Sequence, residues 1–483
     1  MPESPVPSIP ILRSGRVYRS LDEAELWSVD GRRAEARVSM ANSGLVRRDL
    51  LDLNRSRDVL REIPARDLAA MCRRAGEIFL RDELPVGVEE FPQNPDDYVR
   101  ALSATSGLPF TLIRRNMARL HEVFTQIEVI LAGLTRGLDL EVIDRGYGEQ
   151  QGVPVSYAAT TNVLSVILPS NSPAVNALWI PSLVLKTPVL LKPGREEPWT
   201  PWRMAQAFLR AGYPREAFHF YPTGHEGGTA IIRRSGRVMM FGDDATVSQY
   251  AQDERIEVHG SGRSKILIGE DAVEDWPELI EILVESVSAN SGRSCINASA
   301  IVTPRHGKAI AEALAQALAG WAPKAADDPS AVLSGFANPQ FAEHIDGAIE
   351  EGLATPGAVD VSAALRAGPR HVVRDNMHYL LPTIVHCESF NHPLANREFL
   401  FPYASVVEMP QADMLEAIGP SLVVTAATGD ERWIRQLLES SWIDRLNIGK
   451  TPTNRVQWNQ PHEGNLFEFL YKRRSFQLTP MHV

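Results

Sequence analysis

The chain has 483 residues, of which 44% are hydrophobic and 23% charged, and its formal net charge is −11 at pH 7. This length is too great for one hydrophobic core and predicts about two to four domains. The acidic balance excludes a global basic field for nucleic acid, and no apolar run reaches the roughly 20 residues of a membrane span.

The cysteine content predicts a reducing compartment. Cys72, Cys295 and Cys387 are odd in number and far apart, which argues against both a disulfide framework and a metal site. The N-terminus carries prolines and an early acid without a continuous apolar segment, unlike a secretory signal peptide. We therefore expect a cytoplasmic enzyme without a metal centre.

The first third of the chain divides into an irregular segment and a helical one. Residues 1–60 show little periodicity and are expected to be irregular. From Ala65 to Arg145 apolar residues recur at three- and four-residue intervals, as in "ARDLAAMCRRAGEIFL", which predicts amphipathic helices. The stretch "SGLPF", beginning at Ser106, predicts a break between two of them.

After Gly152 short β-rich runs alternate with helical ones. The predicted strands are 161–169, 188–193, 217–222 and 237–242, and the helices between them are 174–185, 199–213 and 227–235. This alternation is typical of a parallel sheet built from βαβ units.

A second alternating block follows, with helices over 276–289 and 307–321 and strands over 299–304, 383–387, 404–409 and 421–428. The tail, 465–480, has a strand-like pattern rich in aromatic and cationic residues, and we expect it to cover a sheet edge on a partner subunit. The predicted units are therefore 1–60, 61–275, 276–450 and 451–483.

One cysteine has the surroundings of a nucleophile. Cys295 lies in "SANSGRSCINASAIV", among small polar residues between a predicted helix and a predicted strand. Arg293 is expected to stabilise its thiolate, although a buried structural thiol is the commoner role for a single cysteine. Cys72, on a helix face, and Cys387, in a strand, fit that structural role.

Two strand ends carry polar residues. Asn171 in "ILPSNSPAVN" is placed to donate to an oxyanion, or else to cap the following helix. Lys192 and Arg195 in "LLKPGREEP" lie where open α/β sheets bind ligands, or else are simply solvated. Because no G-x-G-x-x-G follows the first strand, a nucleotide bound here would be held without that loop.

These motifs occur in the order found in the aldehyde dehydrogenase superfamily. The chain resembles it from about Val153 to Arg474, through "PSNSP" at 169–173, "LLKPGRE" at 190–196 and "EFLFP" at 398–402. The resemblance implies an α/β fold with two doubly wound Rossmann-like domains and a small β-ribbon oligomerisation element. It also implies a homodimer or a homotetramer.

The resemblance also assigns roles. It implies that Cys295 is the nucleophile and Asn171 its oxyanion partner. Lys192 would bind the adenosine ribose and Glu398 the nicotinamide ribose. Further residues expected to bind the cofactor are Pro169, Ser170 and Thr246.

The chain departs from the family at the hydrolytic base. The family's E-L-G-G-K is matched by "HGSGR", which places His259 where the Glu would stand, with Glu257 two residues earlier. General-base help is worth about 10²–10⁴ in rate, so water attack should slow, whereas the thiol of coenzyme A needs less help. "YVRALSATSGLPF", "YPTG" and "FGDDATV" resemble the fatty acyl-CoA reductase branch of the superfamily.

Cofactor choice depends on the residue three positions after Lys192. NAD-preferring members of the family have Glu there, whereas this chain has Arg195, which favours the 2′-phosphate of NADP. A one-residue slip to Glu196 would restore an NAD-like contact. Asp243 and Asp244 replace a small pair that lies near the pyrophosphate in the family, and they would repel it unless they cap a helix.

The sequence thus predicts an NAD(P)H-dependent oxidoreductase that interconverts an acyl-CoA thioester and an aldehyde, with coenzyme A as co-substrate. One alternative is a non-acylating aldehyde dehydrogenase that uses His259 or Glu257 as base. Another is an inactive scaffold that keeps the fold. Neither nucleic acid nor a membrane is an expected partner.

Overall fold

The computed structural model describes residues 6–477. In this part of the chain, two seven-stranded sheets covered by helices form the body of the molecule, with four smaller sheets around them. Each alternating block of the sequence forms one of the large sheets, so the predicted α/β class is confirmed.

The expectation that residues 1–60 are irregular is wrong for the described residues. They form β1 (Ser8–Ile9), β2 (Ile11–Arg13), β3 (Arg16–Tyr18), β4 (Glu23–Trp27), β5 (Ala34–Ser39), α1 (Ser43–Asp52) and α2 (Ser56–Arg61). These strands are too short to show a period. β1, β4 and β5 pair within the segment, whereas β2 is also held by a residue distant in sequence, since Leu12 pairs with Phe220. Residues 1–5 of this segment lie outside the described part.

The helical segment forms as predicted, apart from a short hairpin of β6 (Leu84–Val86) and β7 (Phe91–Gln93). Its helices are α3 (Ala65–Arg81), α4 (Pro95–Ser106), α5 (Phe110–Thr125), α6 (Ile127–Leu134) and α7 (Glu141–Arg145), and β8 (Tyr147–Gln150) and β9 (Val153–Ala159) follow it. The break at "SGLPF" is confirmed, because α4 ends at Ser106 and α5 begins at Phe110.

The first large sheet contains the four predicted strands. The elements are β10 (Leu164–Ile167), α8 (Ile180–Val184), β11 (Val189–Lys192), α9 (Trp199–Arg210), β12 (Phe218–Phe220), α10 (His225–Arg234), β13 (Arg237–Phe241), α11 (Asp244–Val247) and β14 (Ile256–His259). The strand order is β14-β13-β10-β11-β12-β2-β3, parallel from β14 to β12. The order in which strands are added reverses at β10, with β11 and β12 on one side of it and β13 and β14 on the other. Open sheets bind ligands at such a reversal point. The predicted helix 174–185 is split into a 3₁₀ turn, Pro173–Trp179, and α8.

The second large sheet has the order β17-β20-β21-β16-β15-β22-β23. Within this block β18 (His371–Arg374) and β19 (Met377–Leu380) pair with each other in a separate two-stranded sheet. The strands of the large sheet and the helices around it are β15 (Ser264–Ile268), α12 (Ile280–Ser288), β16 (Ala298–Thr303), α13 (Gly307–Leu318), α14 (Pro339–Leu353), β17 (Ala358–Asp360), β20 (Thr383–Cys387), β21 (Tyr403–Glu408), α15 (Gln411–Ile418), β22 (Ser421–Ala427), α16 (Glu431–Glu439) and β23 (Ile443–Ile448). All its strand pairs are parallel except β17 with β20. Cys72 and Cys387 are fully buried, in α3 and β20, as their structural role requires.

The tail is not a continuous strand. It forms α17 (Leu466–Leu470) and then β24 (Tyr471–Arg474), which pairs with β9 of the same chain in a three-stranded sheet, β24-β9-β8. Residues 478–480 of the predicted strand lie outside the described part. The oligomerisation role, the partner subunit and the boundaries between the predicted units stay predictions.

Among the described residues, no helix combines the length and the apolar character needed to cross a bilayer.

Aromatic packing joins the helical segment to the first large sheet. Phe208 of α9 is fully buried, and its ring centroid lies 5.1 Å from that of Phe124 and 5.4 Å from that of Phe218. Tyr213 and Trp179 complete the cluster, at 4.9 and 6.0 Å.

Phe208→Ala should lower the free energy of unfolding by about 3–5 kcal/mol, because it removes the contacts of the Phe208 ring with the four rings around it and leaves a cavity. Denaturant unfolding followed by circular dichroism measures the loss. Trp442→Ala is the control, since half of Trp442 is exposed and a change within about 0.5 kcal/mol is expected. Equal losses in the two variants would contradict this account of the core.

Candidate active site

The turn that carries Cys295 is unusual in its backbone. It follows α12 as a 3₁₀ turn, Ala289–Gly292, in which Asn290 and Ser291 have left-handed φ values of 52° and 59°. Gly292 has φ 68°, and a Cβ there would lie 2.3 Å from the carbonyl carbon of Phe401. Only glycine fits this position, so the turn is pressed against the "EFLFP" segment.

Hydrogen bonds hold this strained turn in place. The Asn116 side-chain amide of α5 donates to Asn290 Oδ1 (2.8 Å), and Asn290 Nδ2 donates to Ser172 Oγ (3.3 Å). Asn297 Oδ1 accepts from Ser294 N (2.9 Å) on the other side of the cysteine. The turn is thereby tied both to α5 and to the loop that carries Asn171.

The expected role of Arg293 is not observed. Its guanidinium is buried and donates to the backbone carbonyl oxygens of Ser106 (2.9 Å) and Gly335. These hydrogen bonds stabilise the backbone and are not directed at the thiol. Arg445, at the edge of the second sheet, is instead the cation that lowers the pKa of Cys295. Proximity in sequence suggested a contact between Arg293 and the thiol, but the arginine side chain extends to the carbonyl oxygens of Ser106 and Gly335.

A cavity of about 710 Å³ brings most of the predicted site together. The predicted residues that line it are Cys295, Asn171, His259, Glu398, Pro169 and Ser170. Much of the remaining wall is apolar, including Leu120, Val123, Leu178 and Trp458. Trp179 is fully buried in the core, and Trp442 is not among the residues that line the cavity.

Asn171 lies in the loop after β10 and faces the cysteine turn. Its Nδ2 donates to Arg293 O (2.9 Å), two residues before Cys295, and its buried Oδ1 has no partner among the described residues. One Nδ2 hydrogen remains for a ligand, since a side-chain amide has two. The backbone N–H of Cys295 lies against its own thiol, so two donors are available near the sulfur.

His259 ends β14 and is held by an acid that the sequence did not reveal. Its Nδ1 lies 2.6 Å from Glu463 Oε2, and its ring stacks on Phe241 at 4.6 Å. Its buried Nε2 has no hydrogen-bond partner among the described residues, and Glu257 Oε1 lies 3.9 Å away. With Nδ1 donating to a carboxylate, Nε2 is the nitrogen left to exchange a proton in the cavity.

Glu257 lines the same wall of the cavity as His259, because residues two apart on a strand face the same side. Burial raises its pKa to about 7, the negative charge of Glu463 acts in the same direction, and His259 opposes both. His462 also lines the cavity, and burial and the nearby charge of Arg445 lower its pKa to about 3. Glu463, His462 and Arg445 belong to segments that no motif marked.

The electrostatic surroundings favour the protonated thiol of Cys295. Desolvation raises its pKa well above the ordinary range, and the negative charges of Glu463 and Glu398 add to this. Burial also raises the pKa of Glu398 to about 7, although Glu398 Oε2 accepts from Arg263 N (2.6 Å). A proton acceptor is therefore needed for attack by the sulfur.

The residues predicted to bind the cofactor are only partly assembled. Lys192 ends β11 and is not among the residues lining the cavity; burial lowers its pKa, and its ammonium forms no hydrogen bond or ion pair among the described residues. Arg195 and Thr246 are exposed and likewise lie outside the cavity lining. Ser170 Oγ accepts from Glu196 N (3.2 Å) and so joins the loops after β10 and β11.

The two acids near the expected pyrophosphate are both engaged. Asp243 caps α11 by accepting from Thr246 N (2.8 Å), and Asp244 pairs with Arg263. Their charges are therefore partly offset. A dinucleotide fits this region for three reasons. Lys192 forms no hydrogen bond or ion pair with the described residues, the Glu398 carboxyl lines the cavity, and the order of the strands reverses beside it.

Comparison with known proteins agrees with this architecture. The model of the aldehyde dehydrogenase family matches residues 88–419, which is more than half of the chain. The protein therefore belongs to the aldehyde dehydrogenase family.

Individual relatives are distant in sequence. An aminoacetaldehyde dehydrogenase of Pseudomonas aeruginosa is 24% identical over 315 residues, covering 60% of this chain and 61% of its own. An NADP/NAD-dependent aldehyde dehydrogenase of Escherichia coli is 24% identical over 232 residues, covering 44% and 46%. The chain thus matches less than two thirds of the length of these curated relatives.

Solved structures share the fold over nearly the whole length. A gamma-glutamyl-gamma-aminobutyraldehyde dehydrogenase from Burkholderia cenocepacia matches with TM-score 0.78 and 17% identity, covering 96% of this chain and 95% of the other. An aldehyde dehydrogenase from Bacillus cereus, solved with NAD⁺, matches with TM-score 0.77 and 15% identity, covering 97% and 96%.

Glu463→Gln should speed the alkylation of Cys295 by iodoacetamide about threefold to tenfold near pH 8. The substitution removes a negative charge that raises the thiol pKa, so more thiolate is present below that pKa. Intact-mass measurement over about pH 6–10 gives the rates, and Cys295→Ala identifies the label.

Glu468→Gln is the matched control, because Glu468 is exposed on the following helix and pairs with Arg136 (2.6 Å). Its alkylation profile should equal that of the wild type. Slower or unchanged alkylation in Glu463→Gln would contradict the assigned charge effect.

Proposed function

We propose that the protein is an NAD(P)-dependent oxidoreductase that interconverts an aldehyde and an acyl-CoA thioester through a covalent thioester on Cys295. The observation that carries this proposal is the convergence of Cys295, Asn171 and Glu398 on one largely apolar cavity beside the reversal point of the first sheet. Relatives whose names describe aldehyde dehydrogenases using NADP or NAD support the NAD(P)-dependent oxidation of an aldehyde, the coarser part of this proposal.

The chain's own groups account for the covalent steps. The sulfur of Cys295 attacks the carbonyl carbon and its proton passes to a base, while Asn171 Nδ2 and the Cys295 N–H stabilise the oxyanion. Lys192 and Glu398 would hold a nicotinamide dinucleotide, which when bound would supply or accept the hydride. In the oxidative direction the resulting thioester is released by transfer of the acyl group to the thiol of coenzyme A.

Coenzyme A is proposed as the acceptor because His259 occupies the position of the family's water-activating Glu. A thiol ionises more easily than water and attacks a thioester with less help from a base. The apolar part of the cavity, formed by residues such as Val123 and Leu178, suits the acyl chain.

Hydrolysis to the acid is the second possibility, and one observation favours it. His259 lines the cavity wall, and its Nε2 has no hydrogen-bond partner in the part of the chain that the structure describes, while Glu463 accepts from its Nδ1, as a base that activates water would require. Glu257 lines the same wall. This reaction would need no coenzyme A.

We expect aldehyde-dependent reduction of NADP⁺ to require coenzyme A and to form acyl-CoA rather than acid. Absorbance at the reduced-cofactor band and mass spectrometry of the products measure both. Cys295→Ser should lower turnover about 10³-fold or more while nucleotide binding remains.

His259→Gln separates the two acceptors. If acid forms without coenzyme A and this variant loses about 10²–10⁴ of that rate, hydrolysis replaces acyl transfer. Binding of no nicotinamide nucleotide and no acylation of Cys295 by acyl-CoA would instead support an inactive scaffold.

Arg195 is proposed to favour NADP over NAD. Because its side chain is exposed and follows the strand that ends at Lys192, its guanidinium can pair with a 2′-phosphate. Arg195→Glu should weaken NADPH binding about tenfold and leave NADH binding equal or tighter, as measured by fluorescence titration. Unchanged affinities would remove Arg195 from the cofactor site.

A further inference from the structure

An arginine that forms no hydrogen bond or ion pair with any described residue lies in the wall of the catalytic cavity. Arg119, in the middle of α5, lines the cavity together with Cys295 and Asn171. It also lines a second cavity of about 410 Å³, which contains Arg115 and Glu285. Arg119 thus stands where the two cavities meet, behind the turn that carries the cysteine.

The other two arginines of the catalytic cavity are already engaged. Arg293 donates to two backbone carbonyl oxygens, and Arg397 is exposed and lies over the ring of Phe399 (5.6 Å). Arg119 forms no hydrogen bond or ion pair among the described residues.

The charges near Arg119 balance in number, but none of them pairs with its guanidinium. Glu122 and Glu285 act on it only at longer range than an ion pair, while Arg115, one turn earlier on the helix, repels it. Arg119 is partly buried, and burial together with this repulsion lowers its pKa. A bound anion would offset both costs, since guanidinium and carboxylate pair through two parallel hydrogen bonds.

The position of Arg119 relative to the nucleophile is held by the fold. Asn116, one turn before it, is bonded to Asn290 in the cysteine turn, and Asn290 is bonded to Ser172 beside Asn171. Leu120 and Val123, on the same side of α5, form apolar wall. A ligand chain can therefore lie along apolar surface with its reactive carbon at Cys295 and a charged end at Arg119.

We propose that Arg119 binds a carboxylate at the far end of the acyl chain, so that the preferred substrates are aldehydes or thioesters that carry a terminal carboxylate. This inference rests on the proposed function and names its substrate class. The other anion that the reaction brings is a phosphate of coenzyme A, and the measurements below distinguish the two.

The test compares aldehydes of equal chain length with and without a terminal carboxylate. Succinic, glutaric and adipic semialdehydes are set against butanal, pentanal and hexanal, with kcat/KM measured for wild type and Arg119→Met. For the preferred length, the wild type should favour the carboxylate form about 10- to 100-fold, and Arg119→Met should lose that preference while its kcat/KM for neutral aldehydes stays within about twofold.

Arg114→Met is the matched control. Arg114 is exposed on the same helix and pairs with Asp96 (3.0 Å), and the variant should retain the wild-type preference. A higher KM for coenzyme A in Arg119→Met, with no change in aldehyde preference, would assign the arginine to a phosphate and overturn the carboxylate assignment.

A measurement without turnover keeps the inference separate from the proposed function. Glutarate should protect Cys295 of the wild type from iodoacetamide at concentrations about tenfold lower than pentanamide, a neutral chain of the same length, does. Equal protection by the two compounds would overturn the subsite even if the enzyme oxidises aldehydes. Selective protection by glutarate, in a protein that turns over no aldehyde, would support the subsite while rejecting the proposed function.

Discussion

The site depends on a strained turn that the surrounding protein holds in one conformation. Asn290 and Ser291 adopt left-handed backbone angles that cost side-chain-bearing residues about 1–3 kcal/mol each. Their own side chains help to offset that cost, since Asn290 is bonded to two other segments and Ser291 Oγ accepts from Ser334 N (2.9 Å). The same bonds that stabilise the turn therefore position Cys295 against Asn171, and loosening any of them would move the nucleophile.

Burial and carboxyl groups together disfavour ionisation of the thiol on this turn. Desolvation raises the pKa of Cys295 most, and Glu463 and Glu398, which line the cavity with Glu257, raise it further. Both effects favour the protonated sulfur, so the proposed chemistry needs a group that removes the proton. Glu463, which disfavours the thiolate, also fixes the ring of His259 and raises the pKa of that imidazole. The Glu463 carboxylate thus opposes ionisation of the Cys295 thiol and favours the protonated imidazole of His259.

Much of the site could be predicted because parallel strands bring their carboxyl ends to one edge of a sheet. Asn171 follows a predicted strand of this kind, so local pattern was enough to place it at the sheet edge. His259 ends β14, which was not among the predicted strands, and only the family resemblance pointed to it. Glu463 and Arg445 could not be found this way, since they approach from the C-terminal third through long-range packing. Arg293 failed for the opposite reason: it is adjacent in sequence to the cysteine, but its side chain turns towards Ser106.

By itself the sequence determined the alternation of strands and helices, the helical N-terminal segment from Ala65, and the placement of Cys295 between a helix and a strand, because these depend on local periodicity and turn chemistry. Tertiary structure decided the short strands before residue 60, the pairing of β24 with β9, and the charges that surround the thiol. The strands before residue 60 are too short to show a period, whereas the pairing of β24 and the charges around the thiol arise from contacts between residues more than a hundred positions apart, whose energies no local pattern contains.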